Sequence, residues 1–136
     1  MNTIKGFFQV SLFFFACGST PLLADQSTSI KLEIERAIGK GVKWLNQEQN
    51  RSSGHWGEAD YPALTALALR ATMGHPDELV VAQYSSNQIK GFSFLLSKVQ
   101  SDGGIYGKGL ACYNTSICVM ASLQSKNPEY EKIIKT

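Results

Sequence analysis

The chain has 136 residues, 43% of them hydrophobic and 18% charged, which suits one globular domain and excludes a disordered chain. Its formal charge is +2 and no run of Lys or Arg forms a stripe, so the electrostatic footprint of a nucleic-acid binder is missing. Two histidines without a paired spacing, and no C-x-x-C, leave no zinc pattern.

Residues 1–24 read as an export leader. Lys5 supplies a short positive region and Phe7 to Ala16 an apolar run. Ser19-Thr20-Pro21 breaks it, and Ala24 before Asp25 offers a small residue for cleavage. A transmembrane anchor and a lipoprotein leader are the rivals. The run is shorter than the ~20 residues of a spanning helix, and Phe14-Phe15 ahead of Cys17 suits a lipid-attachment box poorly. The expectation is a soluble exported protein, periplasmic or extracellular, with no stable transmembrane anchor in the mature chain. Cleavage leaves Cys112 and Cys118, read as two small buried hydrophobes too far apart on one helix for a disulfide.

Ile30, Ile34, Ala37, Ile38, Gly41, Val42 and Leu45 recur at three- and four-residue spacings, predicting a first helix that ends near Gln49. Asn50 to Gly54 is its turn. Pro62 opens a second helix, whose Ala63 to Leu69 is apolar nearly all round and predicts burial on every side. Gly74 and Pro76 end it. Asp77 to Tyr84 is a connector with room for a helical turn. Ser85 and Gln88 have the form of a capping box ahead of a third helix with Ile89, Phe92, Leu95, Leu96 and Val99 on its apolar face. Ser101 to Gly104 is a turn, Asn114 is placed to cap a fourth helix, and Lys126-Asn127-Pro128 ends that helix.

The chain matches itself at a shift of 50 residues. Lys40 meets Lys90, Gly41 meets Gly91, Leu45 meets Leu95, Gly54 meets Gly104, Gly57 meets Gly107, Thr65 meets Thr115 and Ala71 meets Ala121, all without a gap. Trp44 falls over Phe94, and Tyr106 takes the place of Trp56. A period of this length is that of helical repeats, each unit burying its face on its neighbour.

The run Lys40, Trp44-Leu45, Gln49, Gly54, Trp56 resembles the QW motif of the terpenoid cyclases, the squalene–hopene cyclase-like family related to the protein prenyltransferases. Ser101-Asp102-Gly103-Gly104-Ile105-Tyr106-Gly107 followed by Tyr113-Asn114-Thr115-Ser116 is similar to that family's continuation, with Val99 standing where the motif glutamine belongs and Gln100 after it. The resemblance covers residues 30–125. It implies an all-α fold of antiparallel helix pairs in part of an α/α toroid, with Pro62–Thr72 and Asn114–Leu123 as inner helices. It also implies a hydrophobic isoprenoid ligand or a protein partner.

Trp44, Gln49, Gly54, Trp56, Asp102, Gly104 and Tyr106 read as structural clips and not as catalytic residues. A glutamine ending one helix is expected to bond the orphan N–H groups that open the next, with a flat ring covering the junction. The D-x-D-D acid of the cyclases, the zinc ligands of the prenyltransferases and the thioester of complement-type toroids are not in this sequence. No catalytic residue, metal or cofactor is assigned, and no substrate-binding residue.

His55 and His75 read as solvated loop histidines and Asp102 as a turn former. Asn50 and Asn114 head glycosylation sequons that coincide with the repeat, and Tyr61 and Tyr113 flank the inner helices where a hydrophobic cavity would lie. The readings that remain are a cyclase-like or prenyltransferase-like repeat protein, a non-catalytic binding or structural module, and a polysaccharide-active enzyme on a similar toroid. Two helix pairs do not close a ring. The expectation is a fragment of a longer exported protein, or an oligomer that supplies the missing units.

Overall fold

The computed structural model describes residues 22–131. The leader therefore lies outside the described residues as far as residue 21, and the tail does so from residue 132. Six helices follow in order: α1 (Leu22–Glu48), α2 (Pro62–Met73), α3 (Glu78–Gln83), α4 (Ser85–Leu96), α5 (Ala111–Ser125) and α6 (Pro128–Glu131). The fold is all-α, and among the described residues the one β-type pairing is the isolated antiparallel bridge of Val99 with Ile105.

α2 is the centre. It packs chiefly on α5, next on α4, and only lightly on α1. Ala66, Ala68 and Leu69 of α2, Phe92, Phe94 and Leu95 of α4, and Cys118 and Ala121 of α5 form one cluster, closed by Trp56 and Ile105 from the two long turns. Phe92 stacks on Tyr130 of α6, ring centroids 4.1 Å apart, so the last helix folds back over the core.

The helix ends follow local chemistry, with two corrections. Pro62 opens α2 and Gly74 receives its end. Asp77 caps α3, its carboxylate accepting from the Leu79 N–H at 2.9 Å. The capping box read at Ser85 is not formed: Tyr84 is the N-cap, without a side-chain bond, and the Gln88 amide turns back to the Val81 carbonyl. Asn114 does not cap α5 either. It lies a full turn inside that helix and serves α2.

Burial corrects two further expectations. Ile30, Ile34 and Ile38 of α1 are exposed, and only Val42 of its periodic face is buried, because α1 packs only lightly on α2. α2 is not enclosed on every side, since Leu64 and Leu67 are exposed.

Candidate functional site

The first turn is built by Gln49, Gly54 and Trp56. Gln49 is buried where α1 ends, and its Nε2 donates to the Gly54 carbonyl at 2.7 Å and to the Asn87 carbonyl on α4 at 2.8 Å. Both partners are carbonyls, so the side chain works as a donor and not as the expected acceptor for orphan N–H groups. Gly54 has φ of 79°, a left-handed backbone that favours glycine, and a Cβ there would stand 2.6 Å from the Lys90 carbonyl oxygen. The buried Trp56 donates from Nε1 to the Leu45 carbonyl at 2.6 Å, and its own backbone N–H goes to Thr65 Oγ1 at 3.0 Å. One turn thus ties α1, α2 and α4 together.

The second turn uses similar bonds in a register one residue shorter. The backbone N–H of Asn50 goes to the His55 carbonyl, and that of Gln100 to the Gly104 carbonyl. The positive φ of Gly54 is matched by Gly103 at 80°, not by Gly104. Thr115 Oγ1 accepts from the Ile105 N–H at 2.9 Å, as Thr65 does from Trp56. The shift is therefore 50 in the helices and 49 in the turn. Ile105, not Tyr106, fills the core place of Trp56.

Tyr106 instead bonds Asp102 Oδ2 through its hydroxyl at 2.8 Å, while Asp102 Oδ1 accepts from the Gly104 N–H at 2.9 Å. The Gly104 N–H and then the Tyr106 hydroxyl hold the Asp102 carboxyl below its ordinary range, and the same pairing with Asp102 raises the Tyr106 phenol. The aspartate is the turn former that its place before two glycines predicts. Gln100 donates to the Tyr106 carbonyl at 2.7 Å and to Lys98, both within its own turn.

Trp44 departs from the clip altogether. Its side chain is 58% exposed, whereas Phe94, 50 positions on, is 7% exposed beneath the His55 ring and the Lys98 ammonium. His55 is thus half-buried on Phe94, its Nδ1 2.6 Å from Ser53 Oγ, and is not a free loop histidine. His75 Nδ1 accepts from the Asp77 N–H. Cys112 and Cys118 both lie on α5 as free thiols, but only Cys118 is buried; burial pushes its thiol up to about 12.

Asn114 has a role that its motif and its reading as a cap did not indicate. Fully buried, it accepts from the Ala63 N–H at the start of α2 (3.1 Å) and donates to the Gly109 and Leu110 carbonyls. That satisfies an orphan donor of α2 from another helix, and it removes Asn114 as a glycosylation acceptor. Its burial was not legible locally, because Tyr113, Thr115 and Ser116 beside it are polar or amphipathic, and a buried amide is tolerated only where it is bonded. Thr65, inside the apolar run Ala63 to Leu69, did carry such a signal.

Beside α1 and α2 runs an apolar groove of about 390 Å³, lined by Ile38, Gly41, Val42, Trp44, Leu45 and Ala71. Leu64 and Leu67 add exposed apolar surface on α2. Tyr61 and Tyr113 do not line the groove. Among the described residues no three His, Cys, Asp or Glu side chains gather as metal ligands, and no helix is long and apolar enough to cross a membrane. No family model, curated protein or solved structure matches this chain.

Proposed function

We propose that the chain is an exported binding module of the terpenoid-cyclase and prenyltransferase-like repeat kind. In this reading α1–α2 and α4–α5 are two antiparallel helix pairs in an open arc of an α/α toroid. The groove between α1 and α2 is the working surface, and its role is to dock an apolar partner. The observation that carries the reading is the paired bond from a turn N–H to a helix threonine, Trp56 to Thr65 and Ile105 to Thr115, beside a groove lined by apolar side chains. Apolar lining with Trp44 at the rim also suits a second occupant, an isoprenoid chain, which needs hydrocarbon contact more than polar recognition.

Gly41 makes the test clean. A Cβ there meets nothing within 4 Å, so Gly41→Leu fills the groove without disturbing the fold. Nile red is expected to bind the native chain and to quench or shift the emission of the exposed Trp44, read against the emission of the buried Trp56. Gly41→Leu is expected to abolish both changes while leaving the helical circular dichroism intact. Dye binding unchanged in Gly41→Leu overturns the groove as the site. Competition by farnesol against Nile red selects the isoprenoid reading.

A further inference from the structure

α2 is enclosed where α5 is open, although the two helices match at a shift of 50 residues. Pro62, Ala63, Ala66 and Leu69 are buried on α2, and Ala63 is only 1% exposed. Their α5 counterparts Cys112, Tyr113 and Ser116 are exposed, Tyr113 at 52%, and Val119 is half-buried. Two contacts show what encloses α2. The Ala63 N–H bonds Asn114 on α5, and Leu69 lies against Gly91 on α4, its Cδ2 2.9 Å from where a Gly91 Cβ would stand.

The other edge of the molecule shows the complementary surface. Gly91 and Phe94 of α4 are buried, but their α1 counterparts Gly41 and Trp44 are exposed. Asn114 and Ala121 of α5 are buried and Ile117 is half-buried, but their α2 counterparts Leu64, Leu67 and Ala71 are exposed. The α1–α2 edge therefore presents the kind of seat that α4 and α5 present to α2, and α5 presents the stripe that such a seat takes.

We infer that a second copy of this chain docks head to tail. The α5 stripe Cys112, Tyr113, Ser116 and Val119 of one copy lies in the α1–α2 groove of the next. This deepens the groove reading above and rests on it. The docked helix continues the interface that α2 already makes with α4 and α5, adding one more helix to the same layer. Gly41 gives the contact its meaning. In an exposed helix a glycine costs about 1 kcal/mol relative to alanine, and within its own chain Gly41 approaches nothing. In the docked pair Val119 stands over Gly41 as Leu69 stands over Gly91, and the missing side chain is what lets the helices approach. The two surfaces differ, so the contact is heterologous, and copies add beyond a dimer unless the rotation closes a ring.

Sedimentation velocity tests this directly. The native chain is expected to exceed its monomer mass as concentration rises, and to continue past the dimer. Gly41→Glu and Tyr113→Glu, both at exposed positions, are each expected to remain monomeric while melting cooperatively. Mixed, they are expected to form a one-to-one heterodimer, because each retains the face that the other has lost. Should Tyr113→Glu fail to fold, Ser116→Glu replaces it on the same stripe. A native chain that is monomeric throughout, a variant that still associates, or a mixture that does not pair overturns the inference. A monomeric native chain that still binds Nile red removes only the second copy and leaves the groove reading standing.

Discussion

The two long turns do similar things with unequal reach. After α1, Gln49 is buried and its amide crosses to the Asn87 carbonyl, so the turn holds a third element as well as its own ends. After α4, Gln100 is exposed and bonds only inside its turn, and a smaller Ile105 stands where Trp56 stands in the first. Similar backbone bonds thus close both turns, but only the first uses its glutamine to reach another helix; the second reaches the first turn through the Lys108 N–H and the Asp60 carbonyl. A polar side chain matters most where it satisfies carbonyls that water does not reach.

That contrast is sharpest at the glutamines. Gln49→Ala leaves the Gly54 and Asn87 carbonyls without this donor and is expected to cost about 3 kcal/mol, within the range for unsatisfied buried groups. Gln100→Ala exposes its partners to solvent and is expected to cost less than about 1 kcal/mol. Urea titrations of the two variants check the difference. Equal losses would show that the Gln100 amide matters to its turn as much as Gln49 does to the first.

Next come the matched glycines. Gly91→Ala places a Cβ 2.9 Å from both Leu69 and Trp56 side-chain atoms, and overpacking of this kind costs about 1–3 kcal/mol. Gly41→Ala meets nothing, and in a helix it is expected to stabilise the monomer by about 0.5–1 kcal/mol. Thermal melts at low protein concentration are expected to move in opposite directions. A destabilised Gly41→Ala monomer would mean that α1 is more tightly packed than its open groove indicates.

The smallest effect lies in the thiols of α5. Cys112 is expected to react with a maleimide at neutral pH in the folded monomer at low protein concentration, and Cys118 only after unfolding. The folded Cys118 thiol stays neutral up to about 12, whereas the unfolded thiol ionises near 9. Its contribution to stability is therefore complete below pH 9 and is lost progressively as pH rises towards 12. Cys118→Ala is expected to flatten that part of the stability profile, a change that urea titrations across the range resolve.

Much of the architecture was legible in the residues. Helix periodicity, Pro62 and Gly74 located α2, α4 and α5 to within a few residues, because these signals act through local backbone geometry. The importance of Gln49, Gly54 and Trp56 was legible too, as was the turn-forming role of Asp102. What the motif concealed was direction: the glutamine donates to carbonyls where acceptance from N–H groups was expected, and only the position of Asn87 decides between them.

Sequence alone located the helix ends near Gln49, Pro62 and Gly74 and aligned similar positions 50 residues apart. Tertiary structure decided which members of each pair are covered. Trp44 and Phe94, Ala63 and Tyr113, and Gly41 and Gly91 are equivalent in the sequence and opposite in burial. The physical reason is that burial depends on what lies across from a residue, and an element at the edge of a layer has nothing across from it. The one-residue slip that places Ile105 in the core arises the same way: the space beneath the turn selects the side chain that fills it, and Tyr106 turns out to Asp102.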